Sequence, residues 1–235
     1  MKPLYIFRHI DIEDPGILGD YLVQQQIPCQ LVKVDAGESI PEDTREMSGL
    51  ILLGGPMSVN EPHAWIEQEL NIIREAADRG LPILGHCLGA QLISKGMGGR
   101  IGANATKEIG WFEVECTAPS WCPELPHRFT AFHWHGETFT IPAGAVSCFK
   151  SDYCSNQGFA CGNTLALQFH LEVTAAMIPQ WCQRYHAELT SSSGIVSVQT
   201  AEQMMADLGR HLDAMQQNAR LIYGHWLRQG GLITD

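Results

Sequence analysis

Leu81-Pro82-Ile83-Leu84-Gly85-His86-Cys87-Leu88-Gly89-Ala90-Gln91-Leu92-Ile93-Ser94-Lys95 is the stretch on which the fold turns. A short apolar run, a tight turn flanked by glycines and a helical pattern describe a strand passing into a helix through a nucleophile elbow. The residue at the tip of such a turn sits in strained backbone, and bulky side chains two positions to either side would clash. Both of those positions are glycine, Gly85 and Gly89. The helix that starts after Cys87 brings partial positive charge to its sulfur, which favours thiolate. A buried free cysteine is the plainer reading of Gly-x-Cys-x-Gly alone. Cys87 therefore counts as a nucleophile only if the chain also supplies a base, an orienting group and an oxyanion hole.

The same strand-then-helix rhythm extends outward from the elbow. Residues 3–8 read as a strand, Asp14-Pro15-Gly16 opens a helix to about Gln26, and 29–34 and 48–53 read as further strands. A helix follows over about 63–79, with Trp65, Leu70, Ile73 and Ala77 near helical spacing. This alternation predicts an α/β domain of flavodoxin-like type, a mostly parallel sheet with helices on both faces and its site at the carboxyl ends of the strands. Residues 110–115, 128–134 and 157–161 read as antiparallel β additions. Thr190-Ser191-Ser192-Ser193-Gly194 reads as a linker, dividing a domain over 1–190 from a tail over 191–235. In the tail, Met204, Leu208, Leu212, Met215, Ala219, Ile222 and Trp226 recur at steps of three and four. That is an amphipathic helix, expected to pack on its own domain or on a partner.

The base comes late. Thr164-Leu165-Ala166-Leu167-Gln168-Phe169 reads as a buried strand running into His170-Leu171-Glu172. Side chains alternate in an extended segment, so His170 and Glu172 point the same way. A thiol needs such a base, and the base needs an acceptor that fixes its tautomer. A third element, Leu50-Ile51-Leu52-Leu53-Gly54-Gly55-Pro56, ends a strand in two glycines where backbone can approach a ligand. The N–H groups of Gly55 and Leu88 together would form a two-donor oxyanion hole.

Strand-Gly-Gly-Pro, then Gly-x-Cys-x-Gly-x-Gln, then Gln-Phe-His-x-Glu, in that order, resembles the class I (triad) glutamine amidotransferases over about residues 1–190. The segment Phe132-His133-Trp134-His135-Gly136-Glu137-Thr138-Phe139 resembles the stand-alone proteins similar to the glutaminase domain of GMP synthase. The resemblance implies that Cys87 attacks the side-chain amide of glutamine, that His170 moves the proton and that Glu172 orients His170. Gly55 and Leu88 would hold the oxyanion, and Gly54 and Gln91 would lie against the substrate. It implies no cofactor, and it implies a γ-glutamyl thioester that releases ammonia. The chain departs from the family in two places. Leu171 stands where proline is usual, which leaves that turn one restraint fewer, and His86 stands where a small or apolar residue is usual.

Composition narrows the classes. A net charge of −11 with 15 scattered Lys and Arg offers no basic stripe for nucleic acid. No run of eighteen apolar residues occurs, so no membrane span is expected. The first residues lead straight into a strand pattern, and a cytoplasmic protein is expected, since a thiol nucleophile needs a reducing compartment. The cysteines other than Cys87 read as free thiols, because no Cys-x-x-Cys pair occurs. His133 and His135 share a strand face and could ligate metal, but spacing ties no carboxylate to them, and no metal site is expected. The expected ligand is glutamine or a γ-glutamyl compound. A separate synthase subunit as ammonia acceptor and a second copy of the chain are the partners left open. A γ-glutamyl amide or peptide hydrolase and a non-catalytic regulatory module on the same fold are the competing functions. A cysteine esterase of the α/β-hydrolase type is disfavoured, because its acid would precede the histidine in the chain.

Overall fold

The computed structural model describes residues 1–234. Nine strands form one sheet: β1 (Leu4–Arg8), β2 (Cys29–Lys33), β3 (Gly49–Leu52), β4 (Ile83–His86), β5 (Ile101–Cys116), β6 (Arg128–Phe139), β7 (Val146–Lys150), β8 (Gly158–Cys161) and β9 (Thr164–Leu167). Their order is β2-β1-β3-β4-β9-β8-β7-β5-β6. The β2-β1-β3-β4-β9 half is parallel throughout, in the flavodoxin-like arrangement. The other half is antiparallel, so the predicted β additions are present. β5 and β6 run longer than their sequence signals, because the hairpin continues through a bulge between Ala103 and Glu108.

Alternation along each core strand sends side chains to two separate apolar layers. Leu4, Ile6, Ile51, Leu84, Leu165 and Leu167 face one layer; Tyr5, Phe7, Leu50, Leu52, Ile83 and Ala166 face the other. The first is covered by α1 (Gly16–Gln24), α4 (Met177–Arg184) and α6 (Ala201–Gln229). The second is covered by α2 (Ala64–Asp78) and α3 (Leu88–Gly96). A short α5 (His186–Ser191) follows α4.

The expected tail helix is α6, started by a capping box between Thr200 and Gln203. Its stripe is buried on the chain's own core, and Trp226 donates from Nε1 to the carbonyls of Ile83 and Asn163 at 3.2 and 3.1 Å. Each large apolar side chain so buried contributes about 2 kcal/mol. Thr190 and Ser191 of the expected linker close α5, and the segment between the linker and α6 is tied down. Ser197 is buried, its hydroxyl donates to the Lys107 carbonyl at 2.6 Å, and Ile109 exchanges backbone hydrogen bonds with Ser197 and Gln199. Among the described residues, no helix is long and apolar enough to cross a membrane.

Candidate active site

The elbow forms where the sequence puts it. Cys87 follows β4 and precedes α3 with φ 49° and ψ −108°, one of two non-glycine residues with positive φ among those described. This is strained backbone, held by the Cys87 N–H bond to the Leu167 carbonyl at 2.8 Å. A Cβ at Gly89 would lie 2.1 Å from the Leu52 carbonyl oxygen, and one at Gly85 would lie 2.6 Å from the Gly89 carbonyl carbon. Neither position tolerates a side chain, and the thiol is left close to the Trp134 carbonyl, 3.6 Å away.

His170 and Glu172 lie beyond the end of β9. His170 Nδ1 is 2.6 Å from Glu172 Oε1, and the His170 side chain lies close enough to Cys87 for the sulfur to favour its charged form. Burial disfavours the charged imidazole, yet the Glu172 carboxylate and the Cys87 sulfur outweigh it and hold the His170 pKa well above 6.5. Burial likewise opposes charge on Glu172, but His86 and His170 pull its pKa down to about 2. The His170 ring rests edge-on against Trp181, with centroids 4.8 Å apart. The turn does not depend on a proline. Leu171 is fully buried in the core, and the Glu172 carbonyl accepts from the Ile17 N–H of α1 at 3.0 Å.

Cys87, His170, Gly55 and Gln91 line one cavity of about 350 Å³, within the range of small-ligand sites. It opens at the carboxyl ends of β1, β3 and β4. Leu88 is the first residue of α3, beside Cys87. Gln91 donates from Nε2 to Gln168 Oε1 at 3.2 Å. Gly54 lies directly under His170, where an added Cβ would be 2.9 Å from Cε1.

Four groups around the site carry no local sequence signal. Glu13, just beyond β1, is buried and accepts the Tyr185 hydroxyl on Oε1 at 2.9 Å. His9 faces two acceptors, the Leu53 carbonyl at 3.0 Å and the Glu69 carboxylate at 3.0 Å. Both ring nitrogens therefore donate; burial works against the charge, but Glu69 raises the His9 pKa. Tyr223 of α6 stands 3.0 Å from His86 Nε2, behind the triad. Glu108 of β5 supplies the carboxylate that spacing did not tie to His133 and His135. Its Oε2 is 3.6 Å from His133 Nδ1 and 3.2 Å from His135 Nε2. The Gln157 amide sits among them, 2.6 Å from that oxygen, in a buried polar network. All eight cysteines are free.

A fold of this order, with a cysteine elbow facing a His–Glu pair over a cavity, defines a class of thiol amidohydrolase. Residues 17–179 match the glutamine amidotransferase class-I family, and the chain belongs to that family, whose members hydrolyse the side-chain amide of glutamine. The chain is 27% identical over 208 residues to the glutamine amidotransferase-like protein YfeJ of Salmonella typhimurium, covering 84% of this chain and 87% of that one. It is 33% identical over 153 residues to the GMP synthase of Thermomicrobium roseum. That match covers 62% of this chain and only 27% of the synthase. A crystal structure of a glutamine amidotransferase from Methylobacillus flagellatus superposes with TM-score 0.92 at 33% identity, covering 97% of this chain and 95% of that one. One from Thermotoga maritima superposes at 0.85 and 29% identity, covering 97% and 98%. Such coverage takes in α6, which the sequence resemblance, ending near residue 190, did not reach.

Proposed function

We propose that this chain hydrolyses glutamine-type γ-amides through Cys87, His170 and Glu172. The Cys87 thiol gives its proton to the His170 nitrogen not engaged by Glu172, and the sulfur attacks the amide carbon. The N–H groups of Gly55 and Leu88 receive the oxyanion. As the intermediate collapses, the C–N bond breaks and His170 returns the proton to the leaving nitrogen. Water, deprotonated by His170, then attacks the γ-glutamyl thioester. The C–S bond breaks, glutamate leaves, and the thiol is restored. Glu172 fixes the tautomer of His170 throughout, while Gly54 and Gln91 lie against the substrate. In the glutamine reaction, ammonia would pass to a separate synthase subunit.

One observation carries this reading: a strained Cys87 beside a His170 that is itself 2.6 Å from Glu172, on the wall of a single cavity. The test is ammonia and glutamate release from glutamine by the purified chain, with Cys87→Ala alongside. Release is expected to fall by at least about 10⁴-fold in the variant, with the far-ultraviolet spectrum unchanged. Equal release by both proteins would remove Cys87 from the mechanism.

A further inference from the structure

Glu13 is a buried carboxyl group that the proposed reaction leaves unused; burial pushes its pKa up, against the pull of His170 and the Tyr185 hydroxyl. It sits where the chain leaves β1, at the point between β1 and β3 where the strand order reverses and where open α/β sheets bind ligands. Only 5% of it is exposed. Oε1 takes the Tyr185 hydroxyl. Oε2 has no hydrogen-bond partner among the described residues, although Glu13 lines the catalytic cavity. Anchoring Tyr185 accounts for one oxygen and leaves the other unexplained, and a buried carboxylate oxygen without a donor is costly.

Its position gives that oxygen a direction. A Cβ at Gly54 would lie 2.1 Å from Glu13 Oε2 and 2.9 Å from His170 Cε1, so carboxylate and imidazole meet over the same glycine. His170 is the group that hands a proton to the departing nitrogen. Glu13 therefore stands on the leaving-group side of the scissile bond. Charge elsewhere in the cavity points the same way. Glu61, Glu137 and Glu188 line it with Glu13, against one lysine, Lys107, which is paired with Glu188 at 2.5 Å. The ammonium of a γ-glutamyl group can use one of the outer carboxylates. Glu13 is the one whose oxygen shares with His170 the space above Gly54.

We infer that Glu13 is a specificity-determining residue for γ-glutamyl amides whose leaving amine carries a second, positively charged nitrogen. The inference rests on the Cys87–His170 reading for the direction of the leaving group. An ammonium on the amine finds Oε2 as its acceptor, in a charge-assisted hydrogen bond to a side chain that is 5% exposed. The leaving group of a γ-glutamyl peptide brings a carboxylate to the same place and is repelled, so selection works by both attraction and exclusion. The chemistry is unaltered: the amide nitrogen takes its proton from His170 as the C–N bond breaks, and the distal ammonium forms no covalent bond.

Binding to Cys87→Ala, which needs no turnover, tests this by calorimetry. The probes are the γ-glutamyl monoamide of a short diamine, that of a neutral alkylamine of equal length, and a γ-glutamyl amino acid of equal length. The diamine conjugate is expected to bind at least about tenfold tighter than the alkylamine conjugate, with the amino acid conjugate weakest. Adding Glu13→Gln, which keeps the shape and the Tyr185 contact, is expected to erase the ranking. Equal affinities, no binding of any probe, or a ranking that persists in Glu13→Gln would overturn the assignment. Should the double variant not fold, the ranking on Cys87→Ala decides alone. Failure of the triad reading shows separately, as a wild-type chain whose Cys87 is never acylated by a probe it binds.

Discussion

His86 Nε2 stands 3.6 Å from Glu172 Oε2, while the other oxygen of that carboxylate is 2.6 Å from His170 Nδ1. The residue before Cys87 that departs from the family pattern thus stands behind the carboxylate of the proposed triad. Burial keeps His86 on the neutral side of its ordinary range despite the pull of Glu172, and the Tyr223 hydroxyl, 3.0 Å from the same nitrogen, orients it. His86→Leu is expected to lower kcat for glutamine by about tenfold with KM little changed, because a carboxylate oxygen loses its polar neighbour. Tyr223→Phe is expected to act in the same direction by about two- to threefold. Steady-state kinetics on folded variants checks both. An unchanged kcat in His86→Leu would reduce His86 to packing.

The Glu172–His170 contact makes a pH prediction with a definite sign. The Glu172 carboxylate favours the imidazolium form and holds His170 well above 6.5 against the opposing effect of burial. His170 must be neutral to take the thiol proton, so the acid limb of kcat/KM is expected above the ordinary histidine range. In Glu172→Gln burial, which disfavours charge, is opposed by Cys87 alone, so the limb is expected to move to lower pH. The rate at the optimum is expected to fall on the order of a hundredfold or more. A limb that stays in place would show that Glu172 does not set the state of His170.

Legibility in the sequence followed the range of the interaction. The elbow was legible because Gly85, Cys87 and Gly89 answer to local backbone strain. The His170–Glu172 pair was legible because two residues on an extended segment share a face. The parallel half of the sheet could be read from apolar runs alternating with helical periods. Contacts between distant parts of the chain could not. Tyr185 meets Glu13 across 172 positions, and Tyr223 meets His86 across 137. Neither tyrosine has a local pattern that sets it apart from a core aromatic. The surroundings of Leu171 were not legible either, since its burial and the Ile17 N–H that bonds the Glu172 carbonyl depend on distant parts of the chain. Glu108 escaped notice because only the pairing of β5 with β6 brings it to His133 and His135.

The His9–Glu69 pair is a test of stability rather than rate. It ties the end of β1 to α2 beneath the Gly54–Gly55 turn, with both side chains fully buried. Removing one member leaves an uncompensated charge, so Glu69→Leu is expected to cost about 3 kcal/mol in urea unfolding. The folded-state pKa of His9 is raised above 6.5. Its contribution is therefore fully present below the unfolded value and is lost as pH rises through the folded one. In Glu69→Leu burial is opposed only by backbone hydrogen bonds at Leu53 and Gly54, so the variant should lose much of this decline and gain stability relative to wild type as pH rises from ~6 to ~9. A constant difference between the two proteins across that range would rule out a charged His9.

Gly54 is required because two side chains occupy the space its Cβ would fill. In Gly54→Ala the methyl group would press on Glu13 Oε2 at 2.1 Å and on His170 Cε1 at 2.9 Å, and neither residue can retreat into the packed core behind it. A displacement of His170 by a fraction of an ångström is enough to cost about a hundredfold in kcat/KM. The two contacts can be separated. Glu13→Ala removes the closer oxygen and gives the Gly54→Ala methyl room to settle without pushing the imidazole. The double variant Gly54→Ala/Glu13→Ala is therefore expected to be more active than the product of the two single losses predicts, a coupling that neighbours sharing one space should show. Strict additivity across the four proteins would mean that Gly54 is needed for its backbone alone.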